Sequence, residues 1–193
     1  MINIKELFTT SSNLLSLFRL LLAIPFWFLM DYLGVYEYRL IIFGMCILAM
    51  ITDVLDGYLA RKFNHITDMG KIIDPLADKV LIAVIILKLY LANEIPEYYF
   101  WMIILRDVII FTGGVIISNK IGRVLPSNML GKITVTSIGF FILIILLQVD
   151  KTNLIYLGIY YLSIVLIISS LIGYAIRSTE FLKQKENESI QKP

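Results

Sequence analysis

The sequence predicts an all-α integral membrane protein with six transmembrane helices, on the evidence of its composition and its segmentation. Hydrophobic residues make up 59% of the 193 residues and charged residues only 17%, and the mean hydropathy is +0.83. Soluble domains carry roughly 45–50% apolar and about 25% charged residues. The apolar residues form stretches close to the roughly 20 residues that cross a bilayer, and polar, Gly-, Pro- or Asn-containing segments separate them. This composition excludes a soluble enzyme and, with a net charge of only +2, a nucleic-acid-binding protein.

The six expected helices differ in their content of charged residues. In chain order they cover residues 14–30, 36–61, 72–91, 98–118, 133–149 and 152–176. The isolated charges within the first four include Arg19; Asp53 and Asp56; Asp78, Lys79 and Lys88; and Arg106 and Asp107. The fifth and sixth helices are uncharged throughout, so they are the clearest transmembrane segments.

The two ends of the chain differ from this apolar body. Residues 1–12 place apolar side chains among polar ones, which fits either a short amphipathic helix on the membrane surface or a disordered terminus. Residues 182–193 are polar, and we expect them to be disordered. We find no internal repeat or boundary, so residues 1–181 are expected to form a single six-helix domain. The first apolar stretch contains Arg19 and no cleavage site of small residues follows it, so a removed signal peptide is not expected.

The distribution of basic residues predicts the orientation in the membrane. Most basic residues at or beyond the helix ends fall on one side, which the positive-inside rule identifies as cytoplasmic. They are Lys5, Arg61, Lys62, Lys71, Lys120, Arg123, Lys132, Arg177, Lys183, Lys185 and Lys192. The opposite side has only Arg39 and Lys151. We therefore expect both termini in the cytoplasm and the chain in the cell inner membrane.

Four aspartates lie at or inside the ends of the second and third helices. Asp53 and Asp56 are three residues apart and Asp74 and Asp78 are four apart, so each pair shares one helix face. A short turn joins the two helices, so the two acidic faces are expected to converge. An aspartate at the centre of a transmembrane helix costs about 2.5–3.5 kcal/mol. This cost falls if the carboxylates face water or bind cations.

The residue types in this cluster indicate the ligand. Carboxylates without His or Cys favour Mg²⁺ or Mn²⁺, and two such ions can hold a phosphate ester during in-line displacement. The single Cys46 and single His65 also exclude a disulfide framework and a Cys/His zinc site. Nearby small residues would let a phosphate approach the backbone, and the guanidinium of Arg61 could donate two hydrogen bonds to the phosphate oxygens. The small residues are Gly57, Ala60 and Gly70.

Simpler interpretations of these residues remain open. Each aspartate alone fits a structural ion pair with Lys79 or Arg61, and each glycine alone fits helix packing. Arg61 alone fits a basic anchor at the cytoplasmic surface. These interpretations do not explain the combined spacing of all the residues.

Residues 53–78 read DVLDGYLARKFNHITDMGKIIDPLAD and match D-x2-D-G-x2-A-R-x8-G-x3-D-x3-D at every fixed position. This pattern resembles the signature of the CDP-alcohol phosphatidyltransferase family. The resemblance implies that family's six-helix fold, a homodimer, a pocket open to the cytoplasmic leaflet, and transfer of a phosphatidyl group from CDP-diacylglycerol to an alcohol with release of CMP. It implies two metal ions, Mg²⁺ or Mn²⁺, bound by Asp53, Asp56, Asp74 and Asp78, with Asp78 also acting as the general base.

The resemblance also implies residues that bind the two substrates. The CDP-diacylglycerol site would contain Asn13, Ser16, Arg19, Gly57, Ala60, Arg61, Thr67 and Gly70. The acceptor site would contain Arg106, Lys132 and Thr134. Three of these have alternatives: Asn13 as a helix cap, Arg106 in an internal salt bridge, and Lys132 as a cytoplasmic basic residue. Arg19, one turn inside a span, is expected to reach either a phosphate or a carboxylate.

The acceptor expected from the resemblance is glycerol 3-phosphate or phosphatidylglycerol. Pro75 and Lys79 are typical of this branch, whereas enzymes that use inositol phosphate more often have Ser and Arg there. Enzymes that use glycerol 3-phosphate typically have a second Arg about eight residues after the Arg-acid pair. Gly113 and Gly114 occupy that place here, which favours the cardiolipin-synthase type.

Two alternatives to this function remain. The same chemistry is compatible with another acceptor, inositol phosphate or serine. A divalent-cation transporter would also place acids inside the membrane, but it does not explain the spacing of Gly57, Arg61 and Gly70. It would also need acids on the far side, where the loop between the third and fourth spans offers only Glu94 and Glu97.

Overall fold

All regular structure in the described residues is helical. The computed structural model describes the backbone of residues 11–63, 70–121 and 128–190, and the side chains of residues 17–55, 79–118 and 128–183. The six α-helices are α1 (Ser11–Leu29), α2 (Tyr36–Phe63), α3 (Gly70–Leu91), α4 (Glu97–Ile121), α5 (Met129–Leu146) and α6 (Leu154–Ile190). A short 3₁₀ helix, Met30–Tyr32, follows α1. Each helix overlaps one of the six segments expected from the sequence.

Four helices of the described chain are long and apolar enough to cross a membrane. These segments are Tyr36–Leu55, Glu97–Ser118, Met129–Leu146 and Leu154–Lys183. They correspond to the second, fourth, fifth and sixth expected spans. The first and third expected spans are helical, as α1 and α3, but they are not among these four. The all-helical class is therefore confirmed, whereas the count of six spans stays a prediction.

Packing divides the chain into two compact units, Met1–Pro96 and Glu97–Pro193. In the first unit α1 packs against both α2 and α3, and the 3₁₀ helix contacts all three. Phe26, Met30, Ile42, Ile86 and Leu89 are fully or almost fully buried in its core. In this unit α1 therefore contacts both helices that carry the acidic motif.

Two buried basic residues form hydrogen bonds and ion pairs at the loop end of the first unit, where the segments that follow α1 and α3 lie. Arg39 donates from Nε to the carbonyl oxygen of Leu33 at 2.5 Å and also pairs with the carboxylate of Glu94. Lys88, in the last turn of α3, donates from Nζ to Asp31 Oδ1 at 2.5 Å. These pairs offset the cost of burying the cations among apolar side chains.

The second unit is built on α6, which packs against α4 and α5. An aromatic cluster fills its core, with the Tyr99 ring centroid 5.2 Å from that of Phe141 and 5.3 Å from that of Tyr160. The Tyr99 hydroxyl lies 2.8 Å from Ser163 Oγ. The buried tyrosine hydroxyl is therefore satisfied by a neighbouring helix, as a polar group in an apolar core requires.

Two helices end at residues in the left-handed conformation. Asn93 (φ 57°) follows α3 and Gln148 (φ 54°) follows α5. The Glu94 N–H donates to the carbonyl oxygen of Leu89 at 2.9 Å. This is the hydrogen bond of a Schellman motif, which satisfies carbonyls that the helix end leaves open.

The start of α6 is organised by two short polar side chains. Asn153 Oδ1 accepts the Ile155 N–H at 2.8 Å, which caps the helix. Asp150 Oδ1 accepts the backbone N–H and the hydroxyl of Thr152, each at 2.8 Å. These two hydrogen bonds stabilise the carboxylate and lower the pKa of Asp150.

The ends of the chain differ in part from the sequence expectation. Helix α6 continues to Ile190, so the expectation of disorder for residues 182–193 is wrong for residues 182–190. Residues 177–190 contain no Gly or Pro to end the helix, and residues 182–186 (LKQKE) are all good helix formers. The surface helix considered for residues 1–12 lies outside the described residues, except for residues 11 and 12, which begin α1.

Candidate active site

The acidic motif is distributed over α2 and α3. Asp53, Asp56, Gly57, Ala60 and Arg61 lie in α2. Gly70, Asp74 and Asp78 lie in α3. Because both segments are helical, the three- and four-residue spacings place each pair of acids on one helix face, as the sequence predicts.

Only Asp53 among these motif residues has a described side chain. The structure describes only the backbone at Asp56, Gly57, Ala60, Arg61, Gly70, Asp74 and Asp78, and likewise at Asn13 and Ser16 in α1; Thr67 lies wholly outside the described residues. The described part of the chain contains no group of three possible metal ligands. The metal ligands and most of the CDP-diacylglycerol site therefore stay predictions.

Asp53 is bound by an arginine from α1. Nη1 of Arg19 donates to Asp53 Oδ1 at 2.8 Å. The Arg19 side chain is only 2% exposed, whereas that of Asp53 is 54% exposed. The sequence predicts that Arg19 binds CDP-diacylglycerol, and the structure shows it bound to a motif carboxylate. The rest of the Asp53 carboxylate is exposed, and carboxylate oxygens are ligands that Mg²⁺ and Mn²⁺ prefer.

The buried guanidinium of Arg106 joins all three helices of the second unit. In α4 it contacts its neighbour Asp107, with Nη1 2.5 Å from Oδ1. Nε donates to Ser170 Oγ in α6 at 3.2 Å, and Nη2 donates to the Gly131 carbonyl oxygen in α5 at 3.3 Å. The internal salt bridge considered from the sequence is therefore present, and Arg106 also lies next to the backbone that precedes Lys132.

The two other predicted acceptor residues have different environments. Lys132 is exposed on α5. Thr134 is fully buried, and its hydroxyl is 2.7 Å from the Leu130 carbonyl oxygen and 3.1 Å from that of Leu166. In this arrangement Thr134 packs α5 against α6, so the geometry gives no support to its predicted contact with the acceptor.

The sequence did not identify Tyr174 as a neighbour of the glycine pair in α4. A Cβ added to Gly113 would lie 3.0 Å from both Cε1 and the hydroxyl oxygen of Tyr174. That hydroxyl is buried and has no hydrogen-bond partner among the described residues. The place where the resembling enzymes carry a second Arg is thus occupied by a tyrosine from α6. Two adjacent glycines inside an apolar helix were the only sequence signal of this close approach.

Comparison with known proteins agrees with the motif. The model of the CDP-alcohol phosphatidyltransferase family matches residues 9–174. A Bacillus subtilis CDP-diacylglycerol–glycerol-3-phosphate 3-phosphatidyltransferase is 41% identical over 87 residues, which are 45% of this chain and 45% of that protein. A Rickettsia bellii protein of the same name is 34% identical over 143 residues, 71% of this chain and 75% of its own.

A second kind of relative has a different lipid in its name. A Rattus norvegicus cardiolipin synthase (CMP-forming) is 42% identical over 102 residues, which are 52% of this chain and 32% of that protein. The chain thus spans about half the length of the Bacillus relative and about a third of the rat relative. The match to the family over residues 9–174 and the helical placement of its motif lead to one conclusion: the chain belongs to the CDP-alcohol phosphatidyltransferase family.

Proposed function

We propose that this protein transfers the phosphatidyl group of CDP-diacylglycerol to a hydroxyl of glycerol 3-phosphate or phosphatidylglycerol and releases CMP. The observation that carries the proposal is the complete family motif on two helices that pack against one common helix, α1. The family match and the names of the relatives support the same reaction. The protein is then an enzyme of glycerophospholipid synthesis.

The motif residues supply the groups that this reaction needs. Asp53, Asp56, Asp74 and Asp78 would hold two divalent cations, Mg²⁺ or Mn²⁺, which neutralise the charge of the pyrophosphate. Asp78 takes the proton of the acceptor hydroxyl as its oxygen attacks the phosphorus that carries the diacylglycerol. The new bond joins that oxygen to phosphorus. The bond between phosphorus and the CMP oxygen breaks, and CMP leaves with the electron pair.

The donor and acceptor would be held by basic residues in separate parts of the chain. Arg61 is suited to bind phosphate oxygens of the nucleotide with its two-pronged guanidinium. Arg106 and Lys132 are the candidates for the phosphate of the acceptor. Gly113 and Gly114 stand where enzymes that use glycerol 3-phosphate typically have a second arginine, which supports phosphatidylglycerol over glycerol 3-phosphate.

The proposed membrane arrangement follows from the substrates. The acyl chains of CDP-diacylglycerol remain in lipid, so the motif would lie at the cytoplasmic border of the cell inner membrane. Helices α1 and α3, with 19 and 22 residues, are each about 30 Å long and would complete six spans. Both termini would be cytoplasmic. Assembly as a homodimer is proposed from the family resemblance.

One experiment tests the reaction and identifies the acceptor. The purified protein is given CDP-diacylglycerol and Mn²⁺, then glycerol 3-phosphate, phosphatidylglycerol, inositol phosphate or serine in separate reactions. We expect CMP release and a product of the mass of phosphatidylglycerophosphate or cardiolipin, and no release after chelation of the metal. Product formation only with inositol phosphate or serine would contradict the proposed acceptor.

The alternative of cation transport is tested in liposomes. A transporter would move Mn²⁺ across the membrane without any need for CDP-diacylglycerol. Metal flux in the absence of CMP production would contradict the phosphatidyltransferase. The proposed enzyme should instead release CMP and cause no flux above that of empty liposomes.

A further inference from the structure

Arg19 and Asp53 form a link between α1 and the first residue of the acidic motif. A guanidinium is a cation with five N–H donors and no acceptor, so the burial of Arg19 requires a partner. Asp53 supplies one through Oδ1. A hydrogen bond to a charged donor is directional, so it restricts the rotation of the Asp53 carboxylate.

The same contact leaves part of Asp53 available. A carboxylate has two oxygens and about four lone-pair sites, and more than half of the Asp53 side chain is exposed. One side of the group is therefore held by the protein while the other is accessible. In metal sites, a carboxylate ligand is typically held in this way by a hydrogen-bond donor behind it.

We propose that Arg19 is a positioning residue that orients Asp53 toward a divalent cation, and that this is its role in place of direct binding to CDP-diacylglycerol. The inference rests on the proposed function, because it takes Asp53 as a metal ligand. It adds a residue of α1 to a site that the motif confines to α2 and α3.

The first unit contains a matched control for this pair. Lys88 and Asp31 form a second link between a buried cation and an open carboxylate, with side chains 7% and 58% exposed. Their N–O distance is 2.5 Å. Asp31 lies outside the acidic motif, so breaking this pair tests the general effect of losing a buried ion pair.

The test measures Mn²⁺ binding to the full-length protein in detergent, by electron paramagnetic resonance and without substrates. Loss of a supporting hydrogen bond typically lowers metal affinity 10–100-fold. We expect a decrease of about that size for Arg19→Gln, a smaller one for Arg19→Lys, and none for Lys88→Gln. Thermal unfolding of each variant is followed in parallel, and we expect both glutamine variants to unfold at lower temperature.

Three results would overturn the positioning role. Unchanged Mn²⁺ affinity in Arg19→Gln, together with weaker CDP-diacylglycerol binding, would make Arg19 a donor-binding residue. A higher affinity would mean that Arg19 only competes with the metal for Asp53. An equal loss in Lys88→Gln would mean that the effect is general destabilisation.

The experiment also separates this inference from the proposed function. If the wild-type protein binds no Mn²⁺ and releases no CMP, the proposed function fails and the positioning role falls with it. If the wild type does both and only the variant comparison fails, the positioning role alone is wrong. Should Arg19→Gln not fold, Arg19→Lys carries the comparison, because it keeps the charge and changes only the geometry of the contact.

Discussion

At the scale of single residues, buried positive charges are the most informative feature of this apolar chain. Arg19, Arg39 and Arg106 are each buried and each contact a carboxylate. An arginine inside a membrane protein is costly, so each must bring a gain in stability or in function. The partner of Arg39 lies at the loop end of the first unit, whereas Arg19 and Arg106 contact residues next to the candidate sites. Replacing Arg19 or Arg106 is therefore expected to affect both stability and the proposed activity.

Replacing Asp78, the proposed general base, should slow the chemical step more than it weakens binding. Asp78→Asn keeps the shape of the side chain and removes its ability to take a proton, so CMP release should fall by about 10²–10⁴-fold. Binding of Mn²⁺ and CDP-diacylglycerol should be partly retained. Asp68→Asn, an acid between the two motif halves, should release CMP at the wild-type rate. Unchanged CMP release by Asp78→Asn would refute its assignment as the base.

The proposed nucleotide contact of Arg61 depends on the geometry of its side chain as well as its charge. Arg61→Lys keeps the charge but loses the two-pronged contact with phosphate oxygens. One charge-assisted hydrogen bond contributes about 1.5–3 kcal/mol, so donor affinity should fall by about tenfold or more. Calorimetric titration with CDP-diacylglycerol in detergent measures this, with Lys62→Gln as the neighbouring control. Equal affinities for Arg61→Lys and the wild type would remove Arg61 from the pocket.

At the scale of helices, the sequence predicted the elements well and their partners poorly. Apolar stretches interrupted by turn residues were enough to place all six helices, because a transmembrane helix has a length fixed by the bilayer. The extension of α6 to Ile190 was missed, since its polar residues carry no apolar period. A phosphate or carboxylate partner was expected for Arg19, but Asp53 was not identified as that partner, and the contact of Tyr174 with Gly113 was missed. Each contact joins residues far apart in the chain, which only the packing of the helices brings together.

The end of α5 offers a simple test of helix termination. Gln148 adopts φ 54°, a conformation that costs a residue with a Cβ about 1–2 kcal/mol and glycine almost nothing. Gln148→Gly should therefore raise the free energy of unfolding by about 1 kcal/mol, as measured by denaturant titration in detergent. Gln148→Ala keeps the unfavourable conformation and should not stabilise. If the two variants have the same free energy of unfolding, the left-handed conformation of residue 148 does not lower the stability of the protein.

The contact of α4 with α6 can be tested with the two adjacent glycines. Both gain helix propensity on replacement by alanine, by about 1 kcal/mol. At Gly113 the new methyl group would lie 3.0 Å from Tyr174, whereas at Gly114 the nearest atom is 3.6 Å away. Gly113→Ala should therefore unfold at a lower temperature than Gly114→Ala, by an overpacking cost of about 1–3 kcal/mol. Tyr174→Phe should reduce that difference, because it removes one of the two closest atoms.

At the scale of the whole molecule, the number of membrane spans decides which segments share a side. With six spans, the loop after α1 and the loop before α6 lie on the same side, opposite the end of α6. If only α2, α4, α5 and α6 cross, those two loops lie on opposite sides. Single cysteines introduced as Gly34→Cys and Lys151→Cys distinguish these cases, because both positions are exposed. The natural Cys46 is first replaced by alanine, since it is the only cysteine in the chain.

The orientation is read from the same cysteine variants in intact cells. Any outer membrane is first permeabilised. We then expect a membrane-impermeant maleimide to label residues 34 and 151 from outside the inner membrane. Lys183→Cys, near the exposed part of α6, should be labelled only after lysis, because the positive-inside rule places that end in the cytoplasm. Labelling of only one of the two loop positions from outside would rule out six spans. It would leave α1 and α3 on the membrane surface, and the acidic motif would then join one helix that crosses the bilayer to one that does not.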